Sequence, residues 1–404
     1  MKRLTDHVTI EKVSDHIPDD LAFSIMLKLP LKSLKRFSCV HKSWSFLFEN
    51  PYFMNLYLDN FISSDHSSYE GVLCLHIQHI MPYFQNRPVI YLLSGERFEN
   101  KVKLDWPPLF QENDRGVCVF GSAINGIVCL YQGLTPTVVL CNPSTMEFKA
   151  LPPSPTEILA QNVIGFFFLH GFGYDHFRDD YKVIRHISYS LNGYNVEEDM
   201  DDTPNKLSYD DMWEIYSLRS NSWRKLDINL TYGYGSYVSA FVYVNGMCHW
   251  WNDDDDDPLL VSFDLRDEVC YTTSIPLNIP TPLDLEKIVD FIFVNRHLVV
   301  LNESIGLISN YANTSTTFHI SILGELGVKE SWTKLFIIGP LPCIESPIGE
   351  GNNGDLFFKR KDGKIARFNL KTQMVEELGI KGQFCDSQVV ICKKNLLCIG
   401  RINN

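Results

Sequence analysis

IYSLRSNSWRKL (residues 215–226) carries the pattern on which the fold of this chain turns. An apolar pair enters, a short stretch rich in turn-forming residues follows, and an apolar segment leaves. Ser and Asn offer side-chain hydrogen bonds to the backbone where a chain reverses, so the segment reads as strand, hairpin and return strand. Copies stand at LCNPSTMEFKALP (140–152), SFDLRDEVCYTTSIP (262–276) and RFNLKTQMVEELGI (367–380), with a longer version at HISILGELGVKESWTKLF (319–336). A second pattern places Asn-Gly at the entry to a strand, at Asn125-Gly126, Asn245-Gly246 and, more loosely, Asn353-Gly354. Asn-Gly supplies the positive φ angles of a tight hairpin turn. Among these lie short β-branched or aromatic runs: GVLCLHI (71–77), PVIYLL (88–93), GIVCLY (126–131), TVVLC (137–141), SAFVYV (239–244) and HLVVL (297–301).

Repeated four-stranded units of roughly 40 to 50 residues are the mark of a β-propeller. The repetitive part of the chain, at that period, makes six or seven blades. An irregular pair of β-sandwiches is the competing architecture, and the recurrence of both patterns argues for radial symmetry instead.

Before the strands the rhythm is helical. In SDHIPDDLAFSIMLKLPLKSLKRFSCVHKSWSFLFENPYFMNLYLDNF (14–61), Leu21, Ile25 and Leu29 recur at i, i+4 and i+8, with Met26 alongside. One face of a helix is therefore apolar. Pro18, Asp19 and Asp20 suit a helix start, where a missing N–H is harmless and negative charge is favoured. Pro30 stops that helix. Further helical turns carry Leu31, Leu34 and Phe37, then Trp44, Leu47 and Phe48, then Phe53, Leu56 and Tyr57 after Pro51. So short a unit buries too little apolar surface to be stable alone, so part of its stripe packs on the rest of the chain or on a partner.

The stretch 17–44 resembles an F-box. Ile17-Pro18, Asp20-Leu21, Ile25, Leu29-Pro30, Lys32-Ser33-Leu34, Arg36-Phe37, Val40, Lys42, Trp44 and Pro51-Tyr52-Phe53 stand where that family has its motif residues. Ile17 replaces the usual Leu. His41 stands where Cys is usual, and its size and polarity put the tightness of docking through that turn in question. Downstream, GFGYDHFRDDYKVIRH (171–186), WEIYSLRSNSWRKL (213–226), VNGMCHWW (244–251), SFDLRDE (262–268) and VKESWTKLF (328–336) resemble the F-box-associated, kelch-like interaction domain of plant F-box proteins. HISILGELG departs from the Trp-x-Met strand common in that domain, and the acidic insertion near 195–211 is longer than usual. The resemblance covers most of the chain. It implies an α+β multidomain protein, with a three-helix F-box at 12–60, a linker and first strand at 61–87, and an all-β propeller at 88–404.

The chain has 404 residues, 45% hydrophobic and 13% aromatic, which describes an ordered globular protein with ample core. Its net charge of −13 argues against a nucleic-acid surface and gives no support for an anionic membrane. The acidic runs Glu197–Asp202 and Asp253–Asp257 read as solvated loops; the second lacks the Gly and closing Glu of a calcium loop. No secretory signal opens the sequence, and no apolar window is long enough to span a bilayer; Val163–Tyr174 comes nearest. Eleven scattered cysteines with no C-x-x-C suit buried thiols in a reducing compartment, cytoplasmic or nuclear.

Catalytic motifs are missing from the sequence. Gly349, Gly351 and Gly354 match G-x-G-x-x-G literally, but a strand and hairpin follow rather than a helix. Cys74, His76 and His79 lie close, but strand alternation sets His79 on the opposite face and no second ligand pair follows. His249, beside Trp250 and Trp251, reads either as a pocket wall or as a satisfied blade residue. GYGSY (233–237) and WWNDDDDDP (250–258) look like exposed loops that can face a partner or be ordinary turns.

No cofactor or metal is expected. What the resemblance implies is a non-catalytic substrate-recognition subunit of a Skp-cullin-F-box ubiquitin ligase. The F-box residues Ile17, Pro18, Leu21, Ile25, Leu29, Pro30, Leu34, Val40 and Trp44 would dock on the Skp adaptor or form the bundle core. The propeller would hold an unidentified protein substrate. The alternatives are a propeller-fold hydrolase with a helical appendage, needing two convergent carboxylates at the channel, and a scaffold that binds partners without ubiquitin transfer.

Overall fold

The computed structural model describes residues 19–29, positions 33, 37, 40–45, 50, 52–53 and 56, and most of 72–399; the larger stretches outside it there are 79–88, 111–116, 158–162, 192–211, 231–240, 253–258, 276–293, 312–315, 382–386 and 394–398. The chain divides into two compact units, Met1–Phe61 and Ile62–Asn404.

In the first unit, α1 spans Asp19–Met26, with Asp19 and Asp20 in its first turn. The positive end of the helix dipole favours those charges. A four-residue helix, α2, covers Lys42–Ser45. Of the expected three-helix bundle, the described residues show one helix of two turns, one further helical turn and helical positions at Ser33, Phe37, Tyr52, Phe53 and Leu56; the rest lies outside the described residues. Ile17, Pro18, Pro30 and Leu34 lie outside the described residues.

The second unit is built of four-stranded antiparallel sheets, each running from an inner to an outer strand in chain order. The first sheet contains β1 (Val72–Gln78), β2 (Val89–Ser94) and β3 (Asn100–Leu104). The second is β4 (Val117–Ile124), β5 (Ile127–Gln132), β6 (Val138–Asn142) and β7 (Glu147–Ala150). The third is β8 (Val163–Asp175), β9 (Asp180–Leu191), β10 (Met212–Ser217) and β11 (Ser222–Leu226). The fourth is β12 (Val242–Val244), β13 (Met247–Asn252), β14 (Leu259–Asp264) and β15 (Cys270–Ser274). The next is β16 (Val294–Leu301), β17 (Ser304–Tyr311), β18 (Phe318–Leu323) and β19 (Trp332–Ile338). The last in sequence is β20 (Ile344–Glu350), β21 (Leu356–Arg360), β22 (Lys364–Asn369) and β23 (Met374–Lys381).

The final strand, β24 (Ser387–Lys393), pairs with β1, setting Val72 against Lys393 and Gln78 against Ser387. It thus becomes the inner strand of the first sheet. The inner strands β4, β8, β12, β16, β20 and β24 each touch the next, and β24 touches β4. Among the described residues this is a closed β-propeller of six four-stranded sheets around an axis, where the sequence left six or seven open. Closure joins the two ends of the unit in one sheet, so the first sheet also has four strands.

The core lies between neighbouring sheets. Trp213, Ile215, Trp250, Val261 and Phe263 fill the space between the third and fourth. Phe120, Leu140, Leu169, Val183 and Tyr216 fill that between the second and third. Leu93, Phe98, Phe357 and Leu378 join the first sheet to the last. A blade is packed on both faces, so its middle strands are apolar without alternation. β6, VVLCN, is buried at every position. The same geometry corrects the reading of WWNDDDDDP as an exposed loop. Trp250 and Trp251 are on β13, between β12 and β14, and both are buried; 253–258 lies outside the described residues, as does GYGSY.

Both sequence repeats are turns. Asn125-Gly126 and Asn245-Gly246 join the first two strands of their sheets, with φ of 49° and 78°, and 52° and 80°. Those are the paired positive angles of a two-residue hairpin turn. The longer repeat joins the third strand to the fourth. Asn142, Asp264 and Asn369 open these turns, each accepting backbone N–H groups on its side chain. Met146, Glu268 and Gln373 close them, each donating its N–H to the carbonyl four residues back at 2.8–2.9 Å. All three have φ near +60°, a region open chiefly to residues whose neighbours hold them there.

Candidate functional site

Two surfaces carry the functional question, one on each unit. On α1 the apolar residues divide. Ala22 and Met26, one turn apart, are buried. Phe23 meets Phe53 edge-on at 5.1 Å and stacks on Tyr52 at 6.2 Å. Asn50 holds that second segment in place by accepting the N–H groups of Tyr52 (2.9 Å) and Phe53 (3.4 Å), as a cap does at a helix start. The inner face of the unit is thus Ala22, Phe23, Met26 and Phe53.

Leu21 and Ile25 point the other way, 51% and 45% exposed. Val40 is 70% exposed, and Phe37 and Tyr52 are exposed too. Leu29 and Trp44 are partly buried. Trp44 packs on Phe37 at 6.0 Å and on His41 at 5.7 Å, and His41 itself is exposed. Of the predicted docking residues, the structure sets Leu21, Ile25 and Val40 in water and gives Leu29 and Trp44 to the interior in part. Spacing alone put Leu21, Ile25 and Met26 on one stripe; the structure turns Met26 inward. The missed inner residues Ala22 and Phe23 carry a signal in hindsight, since Ala22 is four before Met26.

In the propeller, two buried charge clusters stiffen the third sheet. Arg185 on β9 has no exposed side-chain surface, and its guanidinium bonds Glu214 at 2.8 and 3.0 Å and Glu157 at 2.8 Å. It stands over the rings of Trp223 (3.9 Å) and Phe167 (4.9 Å). Ser154 and Thr156 donate to the other oxygen of Glu214 at 2.7 and 2.5 Å. The loop before β8 is thereby tied to β10. In the second cluster Asp175, at the end of β8, accepts from Lys182 at 2.8 Å and Arg178 at 2.9 Å. Burial pushes its carboxyl up, but those hydrogen bonds outweigh burial and hold it at about 2. Lys182 also donates to the Leu265 carbonyl at 2.7 Å, joining the third sheet to the fourth. These roles are not readable from charge alone, because both clusters use residues drawn from separate strands.

At the axis, Ser122 on β4 donates to Glu350 on β20 at 3.0 Å, across the neighbouring inner strand. Burial raises the Glu350 carboxyl above its ordinary value, and the Ser122 bond partly offsets that. Its partners are a hydroxyl and backbone, not the second carboxylate that glycoside hydrolysis uses.

The remaining sequence candidates resolve into structure. His249 bonds Ser262 at 2.8 Å, and burial holds it down to about 3, so it is a neutral blade residue. Gly349 and Gly351 lie at the end of β20, and the chain continues into β21 rather than a helix. Cys74 and His76 are on β1, while His79 lies outside the described residues. Among the described residues no group of three His, Cys, Asp or Glu can hold a metal ion, and no helix is long and apolar enough to cross a membrane. Burial pushes the thiols of Cys141 and Cys392 up to about 12, which makes them poor nucleophiles.

A small helical unit with apolar side chains in water, followed in the same chain by a closed and internally saturated propeller, defines an adaptor class: one end seeks a partner, the other presents loops on a rigid frame. Comparison with known proteins gives the family. Residues 14–56 match the F-box domain, and 107–397, well over half of the chain, match the F-box associated beta propeller domain. The chain belongs to the F-box proteins with an F-box-associated propeller. F-box protein CPR1 of Arabidopsis thaliana is 23% identical over 419 residues, covering 96% of this chain and 91% of its own. Another Arabidopsis thaliana F-box protein is 26% identical over 353 residues, covering 82% of this chain and 77% of its own. Among solved structures, TolB from Acinetobacter baumannii aligns with a TM-score of 0.45 at 10% identity, covering 81% of this chain and 67% of that one.

Proposed function

We infer that this chain is the substrate-recognition subunit of a Skp-cullin-F-box ubiquitin ligase. The F-box docks on a Skp-type adaptor and through it on a cullin-RING ligase, and the six-bladed propeller holds the target protein. Catalysis belongs to the other subunits. The observation that carries the reading is the exposure of Leu21, Ile25 and Val40 on a unit that matches the F-box. Ile17, Pro18, Leu29, Pro30, Leu34 and Trp44 complete the docking element or its core. Covering such side chains contributes several kcal/mol at about 25 cal/mol per Å² of apolar area, before association costs. The working compartment is the cytoplasm, the nucleus or both, in keeping with the free thiols among the described cysteines, four of them buried.

Co-purification with a Skp-type adaptor tests this reading. The full chain should bring the adaptor down, and Leu21→Asp with Ile25→Asp should abolish it. Adaptor binding that survives the double substitution would remove the docking face from the proposal. A reconstituted ligase that transfers no ubiquitin to a propeller-bound protein would replace the ligase reading with a scaffold.

A further inference from the structure

The hairpin between β8 and β9 and the hairpin between β14 and β15 meet. Connections between first and second strands, and between third and fourth, leave an antiparallel blade on the same side, so both belong to one face of the propeller. At the tip of the first hairpin Phe177 is 70% exposed. An exposed Phe on a loop is ordinarily a mobile side chain on a mobile backbone. Here the backbone is held from several sides. Asp175 Oδ1 accepts the N–H groups of Phe177 (3.0 Å) and Arg178 (3.1 Å). Arg178 donates to Asp175 Oδ2 at 2.9 Å and reaches the next blade through the Arg266 carbonyl at 2.7 Å. Arg219 donates to the Arg178 carbonyl at 2.9 Å.

Around the ring stand guanidinium groups. That of Arg266 lies 4.5 Å from the ring centroid and that of Arg178 lies 6.0 Å away. Arg219, which donates to the Arg178 carbonyl, and Arg224, which pairs with Glu268 of the second hairpin, are exposed. Most carboxylates of the region are turned away or engaged. Asp175 and Asp180 are buried. Asp179 accepts from Tyr174, and Glu268 is held by Arg224 and Lys182. Asp179 and Asp267, the latter 3.7 Å from Arg266, are the exposed competitors. On a chain of net charge −13, this spot therefore shows a fixed apolar disc edged by four solvent-reaching guanidinium groups, of which Arg178 and Arg224 also hold carboxylates of the protein.

We propose that Phe177, with Arg178, Arg219, Arg224 and Arg266, is a docking surface for an acidic segment of the target protein, one with an apolar or aromatic side chain between its carboxylates. The apolar side chain packs on Phe177, and the flanking carboxylates pair with the guanidinium forks. Arg and aromatic residues dominate binding energy at protein interfaces, and Arg pairs carboxylates through two hydrogen bonds at once. The turn is already ordered, so binding loses little conformational freedom on this side. The proposal rests on the reading of the propeller as the target-holding part.

The test uses the full chain in complex with its Skp-type adaptor. The probe is a fluorescein-labelled peptide with two Asp and two Glu flanking a central Leu-Phe pair, followed by fluorescence polarisation. The expected result is saturable binding that weakens with salt, falls tenfold or more in Phe177→Ala and in Arg266→Glu, and is absent when lysines replace the acidic residues or alanines replace the Leu-Phe pair. Phe177→Ala should keep the wild-type melting temperature, because its ring is in water. No binding of the acidic peptide, or equal binding by both variants, overturns the proposal. Adaptor co-purification is scored on the same samples. A failed peptide with the adaptor still bound defeats this surface alone, whereas loss of the adaptor from the wild-type chain defeats the ligase reading.

Discussion

The propeller and the helical unit treat their apolar residues in opposite ways. Between blades, Trp250, Phe263 and Ile184 are each within 1% of complete burial, and their neighbours on both sides are apolar. On the helical unit, Leu21, Ile25 and Val40 keep roughly half or more of their surface in water, although they belong to the same residue classes. The propeller can saturate itself because it closes: every blade has two neighbours. Among the described residues of the helical unit, Phe53 covers one face of α1 and leaves Leu21 and Ile25 exposed on the other. The difference teaches where each half spends apolar surface. The propeller uses it for stability. The helical unit keeps it for a partner.

The largest expected effect breaks the propeller side of that contrast. Arg185→Ala strips the buried partner from Glu214, and should destabilise the propeller by about 3–5 kcal/mol, as removal of one member of a buried pair does. Urea melts read this directly. Arg185→Met together with Glu214→Leu should recover most of the loss, since an apolar pair leaves no charge in the interior. A double variant as unstable as the single one would mean that the loop tie through Glu157 and Ser154, not charge burial, sets the cost.

Close approach of the blades is the next test. A Cβ at Gly173 on β8 would come within 2.7 Å of Tyr243 Cδ2 and closer still to Leu265 Cδ1. Gly173→Ala should therefore cost about 1–3 kcal/mol through overpacking, seen as a lower melting temperature. A neutral result would show that the two sheets separate more easily than their packing suggests.

Acid should weaken the propeller in two stages. His249 and His170 are held neutral by burial, well below their ordinary value. Their folded pKa is depressed, and they are bases. Their contribution is therefore complete above about pH 6.5, the ordinary His value, and is lost as pH falls from there toward the folded pKa. Asp175 is held at about 2, so its contribution is complete above its ordinary value and lost as pH falls from there to about 2. That second loss amounts to about 2 kcal/mol. Asp175→Asn should remove the second stage and leave the first, which a pH series of urea melts would separate.

Much of this was legible in the sequence where the physics is local. Asn245-Gly246 fixes a hairpin because its two residues supply the angles the turn needs, and Asp264 to Glu268 makes its own turn through its own side chain. What was not legible is non-local. Nothing near Val72 or Lys393 says that they will face each other. Trp250 and Trp251 look like a loop edge beside five aspartates, and only the presence of a blade on either side makes them core. Phe177 gives no signal by itself, because its fixed geometry depends on Arg266 from the next blade. The face of α1 was ambiguous for the same reason. Leu21, Ile25, Ala22 and Met26 are all compatible with one stripe, and Phe53 decides which pair goes inside.

The smallest expected change in stability is the sharpest test of the contrast. Leu21→Ser with Ile25→Ser removes side chains that the isolated chain leaves about half exposed. Surface substitutions away from packing contacts usually stay within about 0.5 kcal/mol. Serine has a slightly lower helix propensity than leucine, a cost of a few tenths of a kcal/mol at each position. Circular dichroism of the full chain should therefore show a nearly unchanged melt. The same two substitutions should lower affinity for a Skp-type adaptor by far more, because covering the exposed half of each side chain at an interface is worth about half of the roughly 1.5–3 kcal/mol of a fully buried Leu or Ile, and that loss at both sites is about tenfold to a hundredfold in dissociation constant. Met26→Ser, one position beyond Ile25, should behave in reverse, losing several kcal/mol of stability in the helical unit. A chain in which the outer and inner substitutions had the same effect on folding would have no reserved face, and the division of labour between the two units would fall with it.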